Sequence, residues 1–316
     1  MNAPVLLVIF NRPETTQRVF EQIARIKPKR LYVAADGPRS AEEAELCRRT
    51  REVATNVSWD CELKTLFRDR NIGCQQGPKT AFDWFFGMEE AGIILEDDCV
   101  ASQSFFLYCD ALLERYREDE RVGAISGISY VKPGTLDNSY CFSRYPFAWG
   151  WASWARAWRH YDLELKQWPS LRDTDFLSKI GGSSFGFEAY WRKIFDDCHQ
   201  GKRPSAWDYQ WVFSVWAQRY VACVPALNLV SNIGFGGTST HHGKYDPVLH
   251  GRPTFEMNFP LKHPTSFSRS NKQDDWFDRY GLRTPNYALR TFVQERIPFG
   301  KGLWGGARDL FRFFSS

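Results

Sequence analysis

The 316-residue sequence lacks several features that define common protein classes. Its longest apolar run, residues 3–10, is far shorter than the roughly 18 residues that a membrane-spanning helix needs. No basic stretch precedes this run as it does in a signal peptide. The eight cysteines form no C-x-x-C pair, which argues against a zinc ribbon or a small disulfide scaffold. A reducing, cytoplasmic environment is therefore expected.

An excess of one charge is also missing, because 41 Lys and Arg residues face 37 Asp and Glu residues. This surplus is too small for a dedicated nucleic-acid-binding protein, so we expect no nucleic-acid partner. Apolar residues make up 43% of the chain and charged residues 25%, which excludes a disordered or low-complexity protein. The length suffices for roughly two domains, or for one large α/β domain with an appended subdomain.

Apolar runs alternate with amphipathic segments over the first 130 residues. The all-apolar run 5–10 predicts a strand that is buried on both faces, and the spacing of apolar residues in 14–26 predicts a helix after it. Further strands are predicted at 31–35, 62–68, 92–95 and 122–127, and further helices at 39–53, 78–90 and 105–116. This alternation predicts an α/β fold with an open, mostly parallel twisted sheet and helices on both faces.

The pattern changes near Tyr130 to loops that are rich in glycine and tryptophan. Residues 1–130 are predicted to form one half, residues 131–265 a second half, and residues 266–316 a C-terminal extension. The second half contains predicted helices at 187–198 and 208–219 and a strand at 221–224. Residues 303–314 of the tail are predicted to form a basic amphipathic helix, which is the proposed contact to a membrane surface.

Charged residues follow three of the predicted strands, and ligands of open α/β sheets bind at that edge. Arg12 follows the first strand, Asp36 the second, and Glu96-Asp97-Asp98 the fourth. Three consecutive carboxylates repel one another, and a divalent cation bound together with a diphosphate would compensate them. The alternative is an ordinary acidic turn in which one carboxylate caps the next helix.

Two further segments are candidates for chemistry. Asp208 lies among large aromatic residues, where an apolar pocket would raise its pKa into the range of a general base. Alternatively Asp208 caps a helix whose tryptophans pack in the core. The glycine-rich loop 232–243 ends in His241 and His242, one of which is a candidate ligand of metal or phosphate, unless the loop is a plain surface loop.

Nine segments in this order resemble the GT-A glycosyltransferases, in particular the group similar to N-acetylglucosaminyltransferase I and related bacterial transferases of surface polysaccharides. The resemblance spans residues 4–242. The segments are PVLLVIFNRP, AADGPR, RNIGCQQG, FDWFF, GIILEDDCVASQSFFLYCDALLERY, VGAISG, SRYPFAWGWASWARAW, WDYQW and VSNIGFGGTSTHH.

The resemblance implies inverting transfer of a sugar from a nucleotide-diphospho-sugar, UDP-linked by family analogy, to a glycan or lipid-linked saccharide. It implies Mn²⁺ or Mg²⁺ as cofactor, with residues 1–130 as a nucleotide-sugar-binding half and residues 131–265 as an acceptor-binding, catalytic half. Asp98 stands where the family has a metal ligand, and Asp208 stands at the catalytic base. The positions expected to bind the donor are Arg12, Asp36, Glu96, Asp97, Gly150 and Trp151. The tryptophans at 149, 151 and 154 are expected to stack on sugar rings.

Two other functions fit parts of the sequence. A sugar nucleotidyltransferase also uses a sheet and acidic metal ligands, but it carries a glycine-rich, lysine-containing loop after its first strand, where this chain has Asn11-Arg12-Pro13. No G-x-G-x-x-G follows that strand either, which weighs against a Rossmann dehydrogenase. A non-catalytic glycan-binding scaffold would keep the aromatic surface without needing Asp98 and Asp208.

Overall fold

The computed structural model describes residues 1–130, 134–182, 184–234 and 251–289. The strands in these ranges are β1 (Val5–Ile9), β2 (Arg30–Ala35), β3 (Glu62–Phe67), β4 (Ala91–Glu96), β5 (Cys99–Ala101), β6 (Val122–Ser126), β7 (Tyr140–Ser143), β8 (Trp151–Trp154), β9 (Val221–Pro225) and β10 (Val230–Asn232). The helices are α1 (Pro13–Ile26), α2 (Ala41–Thr55), α3 (Gly73–Phe86), α4 (Gln103–Arg115), α5 (Ala155–Trp158), α6 (Trp168–Leu171), α7 (Phe176–Gly181), α8 (Phe187–His199), α9 (Asp208–Ala217) and α10 (Asn271–Trp276), and a π-helical turn spans Phe277–Leu282.

Eight of these strands form one open sheet in the order β3-β2-β1-β4-β8-β6-β9-β7. The first four strands run parallel to one another, and β8 pairs antiparallel with both β4 and β6. The remaining pairs are parallel between β6 and β9 and antiparallel between β7 and β9. The predicted α/β class with a mostly parallel, open sheet is confirmed.

Hydrophobic cores lie on both faces of the sheet. Leu7 of β1 packs in one core, together with residues of α1 and α4. Its neighbour Leu6 packs in the other core, together with the aromatic residues of α3 and α9. Successive side chains of a strand point to opposite faces, so an all-apolar β1 has to be covered on both sides. The predicted placement of helices on both faces is thereby confirmed.

The tryptophan-rich segment after residue 130 contains strands that the sequence pattern did not predict. Trp151–Trp154 forms β8 in the middle of the sheet, and Tyr140–Ser143 forms β7 at its edge. All residues of both strands are buried. A strand that is buried on both faces lacks the polar-apolar alternation that identifies a strand in sequence, and this explains the omission.

Helix α3 begins at Gly73, five residues before the predicted start, and Pro78 lies inside it. The backbone N–H groups of Ile72 and Gly73 donate to the carboxylate of Asp36 at 3.0–3.1 Å. A carboxylate at a helix N-terminus satisfies N–H groups that have no partner within the helix. Because this carboxylate comes from the end of β2, no local sequence signal marked the start of the helix.

The sheet contains strands from both sides of the boundary predicted near Tyr130. For example, β6 pairs with β8 and β9, which come later in the chain. The proposed division into two halves and a C-terminal extension stays a prediction. The predicted tail helix lies outside the described residues. Within the described ranges, no helix is both long enough and apolar enough to cross a membrane.

Candidate active site

A cavity of about 880 Å³ opens at the carboxyl ends of the parallel strands. Residues that follow three neighbouring strands line it, namely Arg12 after β1, Asp36 after β2, and the acidic triplet 96–98 at the end of β4. Asp208, at the start of α9, lines the same cavity. These residues are distant in sequence, and they meet here because parallel strands end at one edge of the sheet.

The carboxylate of Asp98 contacts two side chains from other parts of the chain. Arg12 Nη1 donates to Asp98 Oδ2 at 2.9 Å and lies 3.6 Å from Asp97 Oδ1. Asn232 Nδ2 donates to Asp98 Oδ1 at 3.2 Å. Asp97 also accepts the backbone N–H of Phe10 at 3.1 Å. These contacts join the ends of β1, β4 and β10 around two buried carboxylates.

Burial raises the pKa of two carboxyl groups in the acidic triplet. Desolvation, followed by the charges of Asp98, Asp97 and Asp208, raises the pKa of Glu96 well above its usual range. Desolvation also raises the pKa of Asp97 to about 7, although Arg12 opposes this rise. Burial lowers the pKa of Arg12, but the charges of Asp97 and Asp98 outweigh burial and leave it raised. A further cation at this position would stabilise the cluster.

In the described structure, the acidic triplet does not cap helix α4. The first N–H groups of α4, those of Gln103 and Ser104, donate to the carboxylate of Glu256 at 3.2 and 2.9 Å. Glu256 lies more than 150 residues further along the chain, so sequence inspection had no means of finding it. The acidic triplet is left facing the cavity.

Asp36, one of the positions expected to bind the donor, lies in the cavity wall and contacts the neighbouring backbone. Its carboxylate accepts the backbone N–H groups of Gly37, Ile72 and Gly73 at 2.9–3.1 Å. Asn71 Nδ2 donates to the carbonyl of Gly37 at 3.0 Å in the same loop. In the described structure Asp36 therefore shapes the cavity wall next to β2.

Asp208 is the first residue of α9 and is exposed, so the expectation of a carboxylate buried in an apolar pocket is wrong. The flanking aromatics Trp207 and Trp211 are buried and pack against Phe82 and Trp151, respectively. Gln75 Nε2 of α3 donates to the carbonyl of Ala206 at 2.8 Å, which ties this segment to helix α3. The helix presents Asp208 to the cavity while its tryptophans complete the core.

Gly150 and Trp151 were expected to bind the donor, but neither residue lines the cavity. Trp151 is only 1% exposed and Trp154 only 2%, because both belong to the central strand β8. Gly150 packs against Val230, where a Cβ atom would lie 2.7 Å from a methyl carbon. The cavity is lined instead by the residues just before them, Phe147, Ala148 and Trp149. Of the three tryptophans expected to stack on sugars, only Trp149 lines the cavity.

The cavity also has an aromatic wall that the sequence analysis did not predict. It consists of Tyr130, Tyr145, Phe147 and Phe277. The ring centroids of Tyr130 and Phe277 are 4.7 Å apart, and those of Phe147 and Phe277 are also 4.7 Å apart. Aromatic faces of this kind can stack on apolar sugar faces. Phe277 lies more than 120 residues from its partners, and no local motif marks it.

Asp98 and His241 are the expected ligands of a divalent cation. His241 and His242 lie outside the described residues. In the described ranges, no group of three or more His, Cys, Asp or Glu side chains has a metal-binding arrangement. Hard carboxylate oxygens nevertheless suit Mg²⁺ or Mn²⁺, which proteins commonly hold with one or two carboxylates plus substrate phosphates. Asp98 fits that mode as a candidate ligand.

No protein-family model matches the chain, and no curated protein sequence matches it. Three solved structures are similar to parts of the chain. They are 4-diphosphocytidyl-2C-methyl-D-erythritol synthase from Anaerococcus prevotii (8% identity, 50% of this chain and 75% of the other, TM-score 0.31), UDP-glucose pyrophosphorylase complexed with UDP-glucose (7%, 51% and 79%, 0.31) and HddC from Yersinia pseudotuberculosis (10%, 53% and 85%, 0.33). Similarity at this level assigns no activity to the chain.

Proposed function

We propose that the chain is an inverting, metal-dependent glycosyltransferase. It would move a sugar from a UDP-linked donor to a hydroxyl group of a glycan or of a lipid-linked saccharide. The observation that carries this proposal is a single cavity that unites the acidic triplet 96–98, the exposed carboxylate of Asp208 and an aromatic wall. Donor, base and acceptor surfaces are the three parts that such a transfer needs.

The nucleotide side of the cavity supports binding of a nucleoside diphosphate. The wall near β2 offers backbone groups held in place by Asp36, and basic side chains at Arg39 and Arg68 line it. Arg12 lies between this wall and the acidic triplet, where the diphosphate would pass. A metal ion bound at Asp98 would neutralise charge on the diphosphate as it leaves.

The chemical step assigned to the protein is proton removal by Asp208. The acceptor hydroxyl would attack the anomeric carbon on the face opposite the diphosphate, and its proton would pass to the Asp208 carboxylate. A new glycosidic bond forms while the bond between sugar and phosphate breaks, and the configuration at the anomeric carbon inverts. No nucleophile from the protein is required, since attack comes directly from the acceptor.

The first test is a thermal-unfolding panel of UDP, GDP, dTDP and CMP, each with Mn²⁺ and with EDTA. A ligand that binds only the folded protein raises its melting temperature. We expect a rise with UDP in Mn²⁺ that is lost in EDTA. If none of the four nucleotides raises the melting temperature in a metal-dependent way, the proposal is contradicted.

The reaction class is tested by the products formed from an α-linked UDP-sugar. A glycosyltransferase cleaves the bond between sugar and phosphate and forms UDP, and with water as a slow acceptor it releases the β-anomer. A nucleotidyltransferase supplied with pyrophosphate forms UTP and sugar 1-phosphate instead. ³¹P and ¹H NMR distinguish these outcomes, and formation of UTP excludes the proposed class.

A further inference from the structure

Both oxygens of the Asp98 carboxylate accept hydrogen bonds from side chains of the protein. Arg12 Nη1 donates to Oδ2 at 2.9 Å, and Asn232 Nδ2 donates to Oδ1 at 3.2 Å. Gly234 packs so closely over the pair that a Cβ atom there would lie 2.0 Å from Oδ2 and 3.0 Å from Arg12 Nη1. The guanidinium therefore competes for Oδ2 with any cation that would bind there.

We propose that Arg12 acts as an internal cation at Asp98 in the donor-free protein and exchanges this position with the metal ion when the donor diphosphate binds. This inference rests on the proposed function. As a consequence of the exchange, one arginine side chain couples the binding of the metal ion to the binding of the diphosphate.

Electrostatics gives the reason for the exchange. A guanidinium and a divalent cation repel each other, so each weakens the binding of the other at one carboxylate oxygen. The Arg12 side chain is only 15% exposed, so its displacement from Asp98 breaks a hydrogen bond that water replaces poorly. A diphosphate offers further acceptors, because phosphate oxygens accept paired hydrogen bonds from arginine. Metal binding at Asp98 is therefore most favourable when a diphosphate is present.

The backbone geometry confines the exchange to the side chain. The carbonyl of Arg12 accepts the N–H of Thr16 at 3.0 Å as helix α1 begins, which holds the main chain of Arg12 in place. Asp97 Oδ1 lies 3.6 Å from Arg12 Nη1 and remains a second anionic neighbour for the guanidinium. The exchange is therefore assigned to a rotation of the arginine side chain.

The experiment is calorimetric titration of Mn²⁺, with and without UDP, into the parent protein and Arg12→Gln. Without UDP, we expect Arg12→Gln to bind Mn²⁺ about tenfold more tightly than the parent, because the competing cation is gone. UDP should tighten Mn²⁺ binding in both proteins, since its phosphates ligate the ion directly. The factor by which UDP increases the Mn²⁺ affinity, here called the tightening factor, should be about tenfold smaller in Arg12→Gln than in the parent.

The matched control is Arg30→Gln. Arg30 also pairs with a carboxylate next to the sheet, that of Glu89 at 2.7 Å, but it begins β2 and does not line the cavity. It should keep the parent's Mn²⁺ affinity and tightening factor. If Arg12→Gln fails to fold, Arg12→Lys, which keeps the charge but loses the forked donor, is titrated instead. It should fall between the parent and the expected values for Arg12→Gln.

Equal or weaker binding of Mn²⁺ alone in Arg12→Gln overturns the inference, and so does an unchanged tightening factor. If the parent protein transfers sugar, such a result refutes the exchange but not the proposed function. The proposed function itself is contradicted if the parent protein forms no UDP from UDP-sugars. A melting-temperature rise with Mn²⁺ alone that is larger in Arg12→Gln than in the parent supports the exchange independently.

Discussion

Arg144 and Asp278 form a buried ion pair between residues that are 134 positions apart in the chain. Both side chains are at most 2% exposed. The hydroxyl of Tyr145 also donates to Asp278, and Trp216 Nε1 donates to the carbonyl of Arg144 at 2.6 Å. This network fixes the π-helical turn beside the end of β7, and it thereby holds Phe277 in the aromatic wall of the cavity.

Removing one partner of this ion pair should destabilise the protein strongly. We expect Asp278→Ala to lower the free energy of unfolding by about 3–5 kcal/mol, because a buried guanidinium loses a principal partner. Urea unfolding measures the change. Asp175→Ala is the control, since Asp175 and Lys179 form an exposed pair that should contribute less than about 1 kcal/mol. Equal effects of the two substitutions would contradict a structural role for the buried pair.

The same network predicts a pH dependence of stability. Burial raises the pKa of Asp274 from its usual value near 3.8 to about 6, against the opposing effects of Arg144 and Ser143. Because the folded state binds this proton more tightly than the unfolded state, the group's contribution to stability is complete below about pH 4. It is lost as the pH rises through about 6, and the loss is about 3 kcal/mol.

Asp274→Asn tests this titration. The parent should lose more unfolding free energy between about pH 4 and pH 7 than the variant does, and the difference between the two profiles isolates this one carboxyl group. Urea unfolding at half-unit pH intervals provides both profiles. Parallel profiles would show that the carboxyl group has the same pKa in the folded and unfolded states.

Asp208→Asn should separate catalysis from binding. The side chain is exposed at the start of α9, so we expect the fold and the affinity for nucleotide to be retained. The rate of sugar transfer should fall by about 10²- to 10⁴-fold, since the acceptor hydroxyl loses its base. Asp173→Asn, at an exposed carboxylate that pairs with Arg172, is the control and should keep the parent rate. Transfer at the parent rate in Asp208→Asn would exclude Asp208 as the base.

Two neighbouring tryptophans should have opposite phenotypes. Trp151→Ala removes a side chain from the central strand and should lower the free energy of unfolding by about 3–5 kcal/mol. Trp149→Ala removes a half-buried side chain from the cavity wall and should reduce substrate affinity, with a stability loss of about 1 kcal/mol. Urea unfolding and nucleotide-sugar titration measure the two effects. The reverse pattern would place the ligand surface at β8.

Gly234→Ala should impair the metal site without a change of charge. A Cβ atom at residue 234 would lie 2.0 Å from Asp98 Oδ2, so the carboxylate or the chain has to shift. We expect Mn²⁺ affinity in the presence of UDP to fall about tenfold or more. Gly77→Ala is the control, because its Cβ atom would meet Asp36 at an ordinary 3.5 Å. Unchanged Mn²⁺ affinity in Gly234→Ala would contradict the proposed role of Asp98.

Most strands and helices of the first 130 residues were predictable because their signals are local, although β5 was not predicted. The apolar run that forms β1 and the amphipathic pattern of α1 both lie within short windows of sequence. Strands β7 and β8 were not predictable, since burial on both faces removes their alternation. The start of α3 depends on Asp36, which lies 36 residues before Ile72 and belongs to another element.

The sequence by itself determined the α/β class and the placement of acidic groups at the strand ends, because periodicity and strand termini can be read from neighbouring residues. Only the tertiary structure decided which groups meet. It pairs Arg12 with Asp98 over 86 residues, supplies Glu256 as the cap of α4, and buries Trp151 while leaving Asp208 exposed. Such contacts depend on how distant elements pack against the sheet, and no local pattern records that packing.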